Sequence, residues 1–307
     1  MADHRVEGIR GIISRHKRWD YIFAVVGLLS LLVGILTLLA LFIQLFIEGM
    51  PRFHPDFFTS FPSRRAENAG ILSAWVGTVL VMLVTAFVAV PLGIASAIYL
   101  EEYAPKNWLT AIIEINVANL AGVPSIVYGL LALGLFVYSF KLGQSILSAG
   151  LTLALLILPV VIVATREAIL AVPGSIREAA YAVGATKWQT VKDHVLPYST
   201  GGILTGVIIG LSRAIGETAP LITIGALTFI AFLPQSPFTA EFPFISFKWL
   251  LDPFTVMPIQ MFNWTSRPGE AFQHNAAAAG VILLLMTLAM NGLAIYLRSR
   301  IRSRLKW

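Results

Sequence analysis

Long apolar stretches alternate with short polar ones along this chain. Runs exceeding the roughly 20 apolar residues needed to cross a hydrocarbon core recur. Six are expected to be transmembrane helices, over residues 21–47, 71–100, 117–140, 145–165, 201–233 and 276–297. The first follows Arg15, His16, Lys17 and Arg18, as the core of a secretory signal would. Its length far exceeds the ~7–15 apolar residues of such a signal, and residues 44–50 offer no small-residue cleavage site, so a retained span is expected. Pro91, Pro124 and Pro159 interrupt the second, third and fourth spans. Each removes a helix hydrogen bond and frees the carbonyl four residues earlier, which a membrane tolerates where neighbouring helices or water satisfy it. They are either structural kinks or hinges that bend in a transport cycle. Residues 48–69, with three prolines and the pair Arg64–Arg65, read as an outer loop. The Phe-, Trp- and Pro-rich stretch 232–272 is long for a loop, and Trp249 and Trp264 suit a membrane interface. It is either an outer docking platform or aromatic packing against the spans.

Composition agrees with a membrane fold: 57% of residues are hydrophobic and only 12% charged, against about a quarter charged in soluble domains. Six spans put both termini on one side. That side holds fifteen of the 22 basic residues: Arg5, Arg10, Arg15, Lys17, Arg18, Lys106, Arg166, Arg177, Lys187, Lys192, Arg298, Arg300, Arg302, Arg304 and Lys306. The opposite side holds Arg52, Arg64, Arg65, Lys141, Lys248 and Arg267, and Arg213 lies within a span. The positive-inside bias places both ends, the N-terminal segment 1–20 and the basic tail 298–307 in the cytoplasm. Anionic lipid headgroups account for the net charge of +6 better than a nucleic-acid partner does.

Several chemistries are excluded. There is no cysteine, hence no disulfide, thiolate metal site or cysteine nucleophile. His4, His16, His54, His194 and His274 show no metal-ligand spacing. No phosphate-binding loop of the G-x-x-x-x-G-K-[ST] type occurs, so ATP would have to be hydrolysed by another chain.

The fifth span carries the densest chemistry. Gly202, Gly206, Gly210 and Ala214 recur every four residues, a stripe without bulk that lets another helix backbone approach. Beside it stand Arg213 and Glu217, neighbours on a helix surface, and a charge at bilayer centre costs roughly 2.5–3.5 kcal/mol. Pro220 would free the carbonyl of Gly216 at the same depth. The pair is either a self-neutralising structural lock or a polar patch lining an anion pathway. In the second reading Arg213 attracts the anion, while Glu217 holds Arg213 and accepts a hydrogen bond from a protonated oxyanion. A bare dianion has nothing to donate to Glu217, which favours hydrogen-bearing phosphate over sulfate.

Between the fourth and fifth spans lies a polar stretch. Pro173 and Gly174 end one helix, Ser175 can cap the next, and Glu178 falls in its first turn, complementing the helix dipole. Ala179, Ala180, Val183 and Ala185 give little bulk, Gly184 permits a tight bend, residues 187–193 form a second short amphipathic piece, and Pro197 stops it. Such a surface either inserts into a groove on another protein or merely connects spans at the interface.

Glu178-Ala179-Ala180, Gly184, Leu196 and Pro197 resemble the EAA loop of inner-membrane ABC importer permeases, whose pattern is Glu-Ala-Ala, three residues, Gly, nine residues, Ile-x-Leu-Pro. His194 stands where that pattern has isoleucine. The stretches 99–106, 119–129, 212–220 and 262–268 are similar to the PstA-type permease subunit of the phosphate-specific transport system. The Arg-x-x-x-Glu-Thr element is shared with the sister PstC-type subunit. The resemblance implies a type I ABC importer permease: an all-α polytopic fold with six transmembrane helices, the permease domain at 70–297 and an EAA coupling loop at 166–200. It implies coupling to the ATPase through Glu178, Ala179, Ala180, Gly184, Leu196 and Pro197, and a pathway containing Arg213, Glu217, Thr218 and Pro220. Expected partners are a PstC-type permease, a PstB-type ATPase dimer holding ATP and Mg, a periplasmic PstS-type phosphate-binding protein and a PhoU-type regulator. No cofactor is expected in this chain, and the bacterial inner membrane is its expected location. A secondary transporter would need no ATPase, and no inverted repeat is apparent. A membrane enzyme would need an acid, base or metal cluster where the spans offer one Arg–Glu pair.

Overall fold

In a computed structural model, residues 2–237, 244 and 246–304 are described, with side chains for 16–237, 244 and 246–300. Lys306 of the basic tail, and residues 238–243 and 245 of the long aromatic stretch, lie outside the described residues. So do the side chains of His4, Arg5, Arg10, Arg15, Arg302 and Arg304. Every regular element among the described residues is helical.

Helix α1 spans Ala2–Gly49 and α2 Pro55–Thr59; α3 (Leu72–Ile98) continues as a π-helix over Tyr99–Tyr103. Helix α4 covers Trp108–Leu120, and α5 (Ser125–Ala132) continues as a π-helix over Leu133–Ser139. Then follow α6 (Ile146–Leu170), α7 (Gly174–Ala182), α8 (Lys187–Thr190), α9 (Leu196–Ile215), α10 (Ala219–Thr223), α11 (Met257–Thr265) and α12 (Glu270–Arg304). Five helical stretches are long and apolar enough to cross a membrane: His16–Arg52, Leu72–Tyr103, Ile146–Leu170, Lys187–Ile215 and Glu270–Arg300. The pair Trp108–Leu120 and Ser125–Ser139 makes a sixth, broken one.

The centre of the molecule is α6, packed between α3 and α9. Small residues set both contacts. Gly93 of α3 faces Val161, where an added Cβ would come within 2.7 Å, and Gly150 of α6 receives Val84 in the same way. The main apolar cluster includes Val81, Leu153, Ile157, Ala214, Leu221 and Trp249. A second cluster joins Phe57, Ile71, Trp264 and Ala278 at the end of the bundle opposite Glu178. Helix α1 lies outside this body. It meets α12 at its end, where Gly49 packs on the backbone of Ala277 and Ala278, and its apolar side chains from Ile22 to Ile47 are largely exposed, as a lipid-facing helix requires.

The chain departs from the predicted spans where backbone chemistry overrides apolar character. The expected third helix, 117–140, is two helices bent by 106°. Pro124 does not kink a continuous helix. It stands at the N-cap of α5 in an extended conformation, and proline biases the preceding residue away from the helical region. The expected fifth helix, 201–233, starts earlier and stops at Ile215, with Gly216 as its C-cap. Pro197 does not stop the polar segment. The helix passes through it, with a π-turn at Val191–Val195 just before, and such wider turns absorb an irregularity inside a helix. Pro91 and Pro159 do lie inside α3 and α6.

Both regions expected to be loops are partly helical. Residues 48–69 contain a 3-10 turn at Met50–Arg52, α2, and a second 3-10 turn at Ala66–Asn68. Arg52 fastens them by donating to the carbonyls of Glu67 at 2.8 Å and Ala69 at 2.6 Å. Trp249 and Trp264 are buried, at 6% and 0% exposure. They are core residues rather than interfacial anchors.

Candidate functional site

Two groups of polar residues stand out, one at mid-height in the bundle and one at its Glu178 end. The upper group rests on the contact of α9 with α6. A Cβ added at Gly202 would come within 2.6 Å of the Ala168 side chain, one at Gly206 would overlap Ala164, and one at Gly210 would press on Val161 at 3.3 Å. Ala214 is 1% exposed. The stripe is therefore the α6-facing side of α9. Because Gly210 meets Ile157 and Val161 near the middle of α6, Arg213 stands at about half the height of the bundle.

The helix ends two residues later. Glu217 is consequently not on the same helix surface as Arg213, as the four-residue spacing predicts, but lies just past the Gly216 cap. The ion pair forms all the same, Arg213 Nε donating to Glu217 Oε1 at 3.2 Å. The Arg213 side chain is 38% exposed and that of Glu217 16%. The Nη atoms of Arg213 make no hydrogen bond within the described residues, which leaves their N–H groups free to donate. Thr218 is half-buried and caps nothing with its side chain. Pro220 does not free the Gly216 carbonyl by interrupting a helix. It occupies the first turn of α10, where its missing N–H has no intrahelical partner to lose.

The two broken spans meet here. Gly129 of α5 packs so closely on α10 that a Cβ would overlap the Thr223 hydroxyl and approach Pro220 Cα within 2.6 Å. Tyr128, buried and within the field of Arg213, donates its hydroxyl to the Leu120 carbonyl at 2.7 Å, across the α4–α5 break. Ser212 donates to Asn291 of α12 at 2.6 Å. Irregular backbone at membrane depth persists only where protein buries it or it borders a polar cavity. Sequence reasoning placed Tyr128 and Ser212 only within stretches similar to PstA-type permeases, marked Pro124 at the first break only as a kink or hinge, and missed Asn291 and the break after Ile215. Asn291, a lone amide within an apolar run, was the available signal.

At the Glu178 end, α7 begins after Pro173, which caps it without a side-chain hydrogen bond; Ser175 is not the cap. Glu178 lies beyond the first turn, which contains no acidic residue. Gly184 has φ +85°, with nothing within 4 Å of where a Cβ would stand, and it makes the tight bend between α7 and α8. Thr186 and Gln189 then form a capping box for α8, a T-x-x-Q signature readable in the sequence. Ala180 is buried, whereas Glu178 and Ala179 face outward. So do Tyr181, Val183 and Trp188, at 44%, 84% and 56% exposure. Leu196 and Pro197 are half-buried where the segment joins α9.

Ion pairs fix this segment to the bundle. Arg177 donates from Nε and Nη2 to Glu102 Oε1 at 3.0 and 2.7 Å, and to the Val172 and Ile169 carbonyls at 2.9 and 3.1 Å. Arg166 Nη2 contacts Glu114 at 3.0 Å and Glu101 at 3.4 Å. The sequence reading uses Arg166 and Arg177 only for topology and does not foresee these pairs, because they depend on the π-helical end of α3 turning Glu101 and Glu102 toward different partners. Among the described residues no group of His, Asp and Glu could hold a metal ion.

The family model described as the binding-protein-dependent transport system inner membrane component matches residues 89–303. The chain belongs to this family and is a multi-pass inner-membrane protein of the type I ABC importer permease fold. It is 32% identical over 293 residues to the phosphate transport system permease protein PstA of Yersinia pestis, with 92% of each chain covered. It is also 29% identical over 287 residues to the probable ABC transporter permease protein YqgI of Bacillus subtilis (strain 168), covering 91% of this chain and 95% of the relative. Among solved structures, inward facing conformations of the MetNI methionine ABC transporter share the fold, with a TM-score of 0.57, 15% identity, and coverage of 73% of this chain and 93% of that one.

Proposed function

We propose that this chain is a PstA-type permease subunit forming half of the translocation pathway of an ATP-driven importer of inorganic phosphate. The observation that carries this reading is the similarity to a PstA protein along nearly the whole of both chains. The mid-bundle Arg213 supports it, since a guanidinium with free Nη donors is matched to an oxyanion. Glu217 holds Arg213 through Nε and disfavours an anion that has no proton to offer. A PstC-type permease would complete the pathway from the open side of Arg213. A PstS-type protein would deliver phosphate, and a PhoU-type regulator would act on the assembled system.

The loop 166–200 is the proposed coupling element. Tyr181, Val183 and Trp188 are exposed on α7, α8 and the bend between them, and exposed apolar groups off the lipid face suit a protein partner. A PstB-type ATPase dimer, holding ATP and Mg, is that partner. Motion received by α7 and α8 enters α9 directly, because the helix is continuous from Lys187 to Ile215.

Both termini and this loop are placed in the cytoplasm on the strength of the basic-residue bias. Because the natural chain has no cysteine, single cysteines report topology without background. A membrane-impermeant maleimide is expected to label Thr59→Cys in intact spheroplasts and Ser175→Cys only after permeabilisation. The reverse pattern would invert the proposed orientation. The function itself is tested by ATP-dependent phosphate uptake into proteoliposomes containing the complete transporter.

A further inference from the structure

The loop that contains Glu178 grips not only α9 but also the end of α3. Three contacts converge on the π-helical residues Tyr99–Tyr103. Arg177 of α7 binds Glu102 through two nitrogens, at 2.7 and 3.0 Å. Lys187, the first residue of α8, stands over the Tyr103 ring at 5.0 Å. Arg166 ties Glu101 to Glu114 of α4. The Glu102 carboxylate is only 8% exposed. A charge-assisted contact of this geometry, largely shielded from solvent, is much stronger and more directional than a surface pair.

From this grip a packed path leads upward. Asn107 caps α4 by accepting from Thr110 N at 2.9 Å. The far end of α4 is joined to α5 by the Tyr128–Leu120 hydrogen bond. Helix α5 is pressed on α10 through Gly129, and Glu217 lies two residues before α10. Arg213, by contrast, belongs to α9. Arg213 thus sits on the α9 arm, and Glu217, whose N–H donates to the Ala214 carbonyl at 3.2 Å, sits where that arm meets the one ending in α10.

We propose that Arg177 and Lys187 are positioning residues of a second transmission arm. They carry the motion of the coupling loop through Glu102 and Tyr103, α4 and α5 to Glu217, while α9 carries Arg213. Relative movement of the arms then opens and closes the Arg213–Glu217 pair. The inference rests on the ATP-driven reading above and adds how that drive reaches the site. It is tested in proteoliposomes containing the complete transporter with its ATPases and binding protein. Phosphate uptake per ATP hydrolysed is measured for Arg177→Glu, Glu102→Arg and the double reversal. Labelling of Ile222→Cys, an exposed α10 position, is followed with and without ATP in each background.

Each single reversal is expected to lower uptake per ATP by about ten-fold, within the usual range for coupling between sites. The ATP-dependent change in Ile222→Cys labelling is expected to disappear with it, and the double reversal to restore both in part, since a carboxylate at position 177 re-forms the pair but cannot donate to the Val172 and Ile169 carbonyls. Wild-type uptake per ATP in an assembled single variant overturns the proposal. So does a double reversal that restores neither readout, or labelling of Ile222→Cys that ATP leaves unaltered in the parent complex. Should the reversals prevent assembly, Arg177→Lys and Lys187→Ala are measured instead, and parent-like values in both overturn the proposal. A parent complex whose Ile222→Cys labelling responds to ATP, yet which accumulates no phosphate, refutes the phosphate reading and leaves the second arm standing.

Discussion

Replacing Arg213 with Gln abolishes phosphate uptake while the complex still assembles. The side chain is one turn above the tight Gly210 contact, so its removal leaves the α6–α9 packing untouched. What is lost is the positive charge at half-height, opposite the charge of an anion crossing the bundle. Inserting a charge at bilayer centre costs roughly 2.5–3.5 kcal/mol, and losing compensation of that size lowers a rate by about 100-fold, at 1.4 kcal/mol per factor of ten. The substitution also strands Glu217, 16% exposed, without its partner, and a structural lock would fail for that reason alone. The double variant Arg213→Gln, Glu217→Gln separates the two. It neutralises the pair without leaving a charge unpaired, so a purely structural role predicts recovery of uptake. The transport role predicts continued loss, and uptake by the assembled double variant would make the pair structural.

Replacing Gly184 with Val separates ATP hydrolysis from transport. Gly184 has φ +85° and open space around it, so no clash within this chain opposes a side chain. Two effects remain. A β-branched residue in the left-handed region costs about 1–2 kcal/mol, which loosens the bend between α7 and α8. The added bulk also stands beside Val183, the most exposed of the outward apolar residues on the loop. Uptake per ATP is expected to fall by at least about ten-fold, the equivalent of 1.4 kcal/mol, with the chain still inserted in the membrane. Gly184→Ala carries the backbone strain with less bulk, so an intermediate value identifies the contribution of docking. Normal coupling in the valine variant would remove the loop from the ATPase interface.

Legibility of the fold followed the physics of each segment. Long apolar runs without polar backbone demands, such as 71–100 and 145–165, coincide with α3 and α6. Gly202, Gly206 and Gly210 were readable as a close-packing stripe because helical periodicity alone places them on one face. The third and fifth spans misled because hydropathy does not distinguish a continuous helix from two apolar pieces. Gly122–Pro124 and Gly216 decide that question locally, through backbone freedom and missing donors. Trp249 and Trp264 left two readings open for a related reason, since an aromatic ring is equally suited to an interface and to a core, and tertiary packing chose the core.

At the site, Arg213 and Glu217 were conspicuous because charge is rare inside an apolar run. Their placement on separate segments was not, because it depends on the helix ending at Ile215. The Arg177–Glu102 and Arg166–Glu114 pairs were invisible for a different reason. Charges at helix ends are ordinary, and partners separated by 75 residues, as Arg177 and Glu102 are, leave no local pattern.

The central claim is that this chain conducts phosphate under the drive of another chain's ATP hydrolysis. Proteoliposomes containing the complete transporter, its binding protein and labelled phosphate test it most directly. The account predicts phosphate accumulation that requires ATP, withstands excess sulfate and vanishes with Arg213→Gln. Accumulation that persists without ATP, or that sulfate suppresses as effectively as unlabelled phosphate, would contradict it.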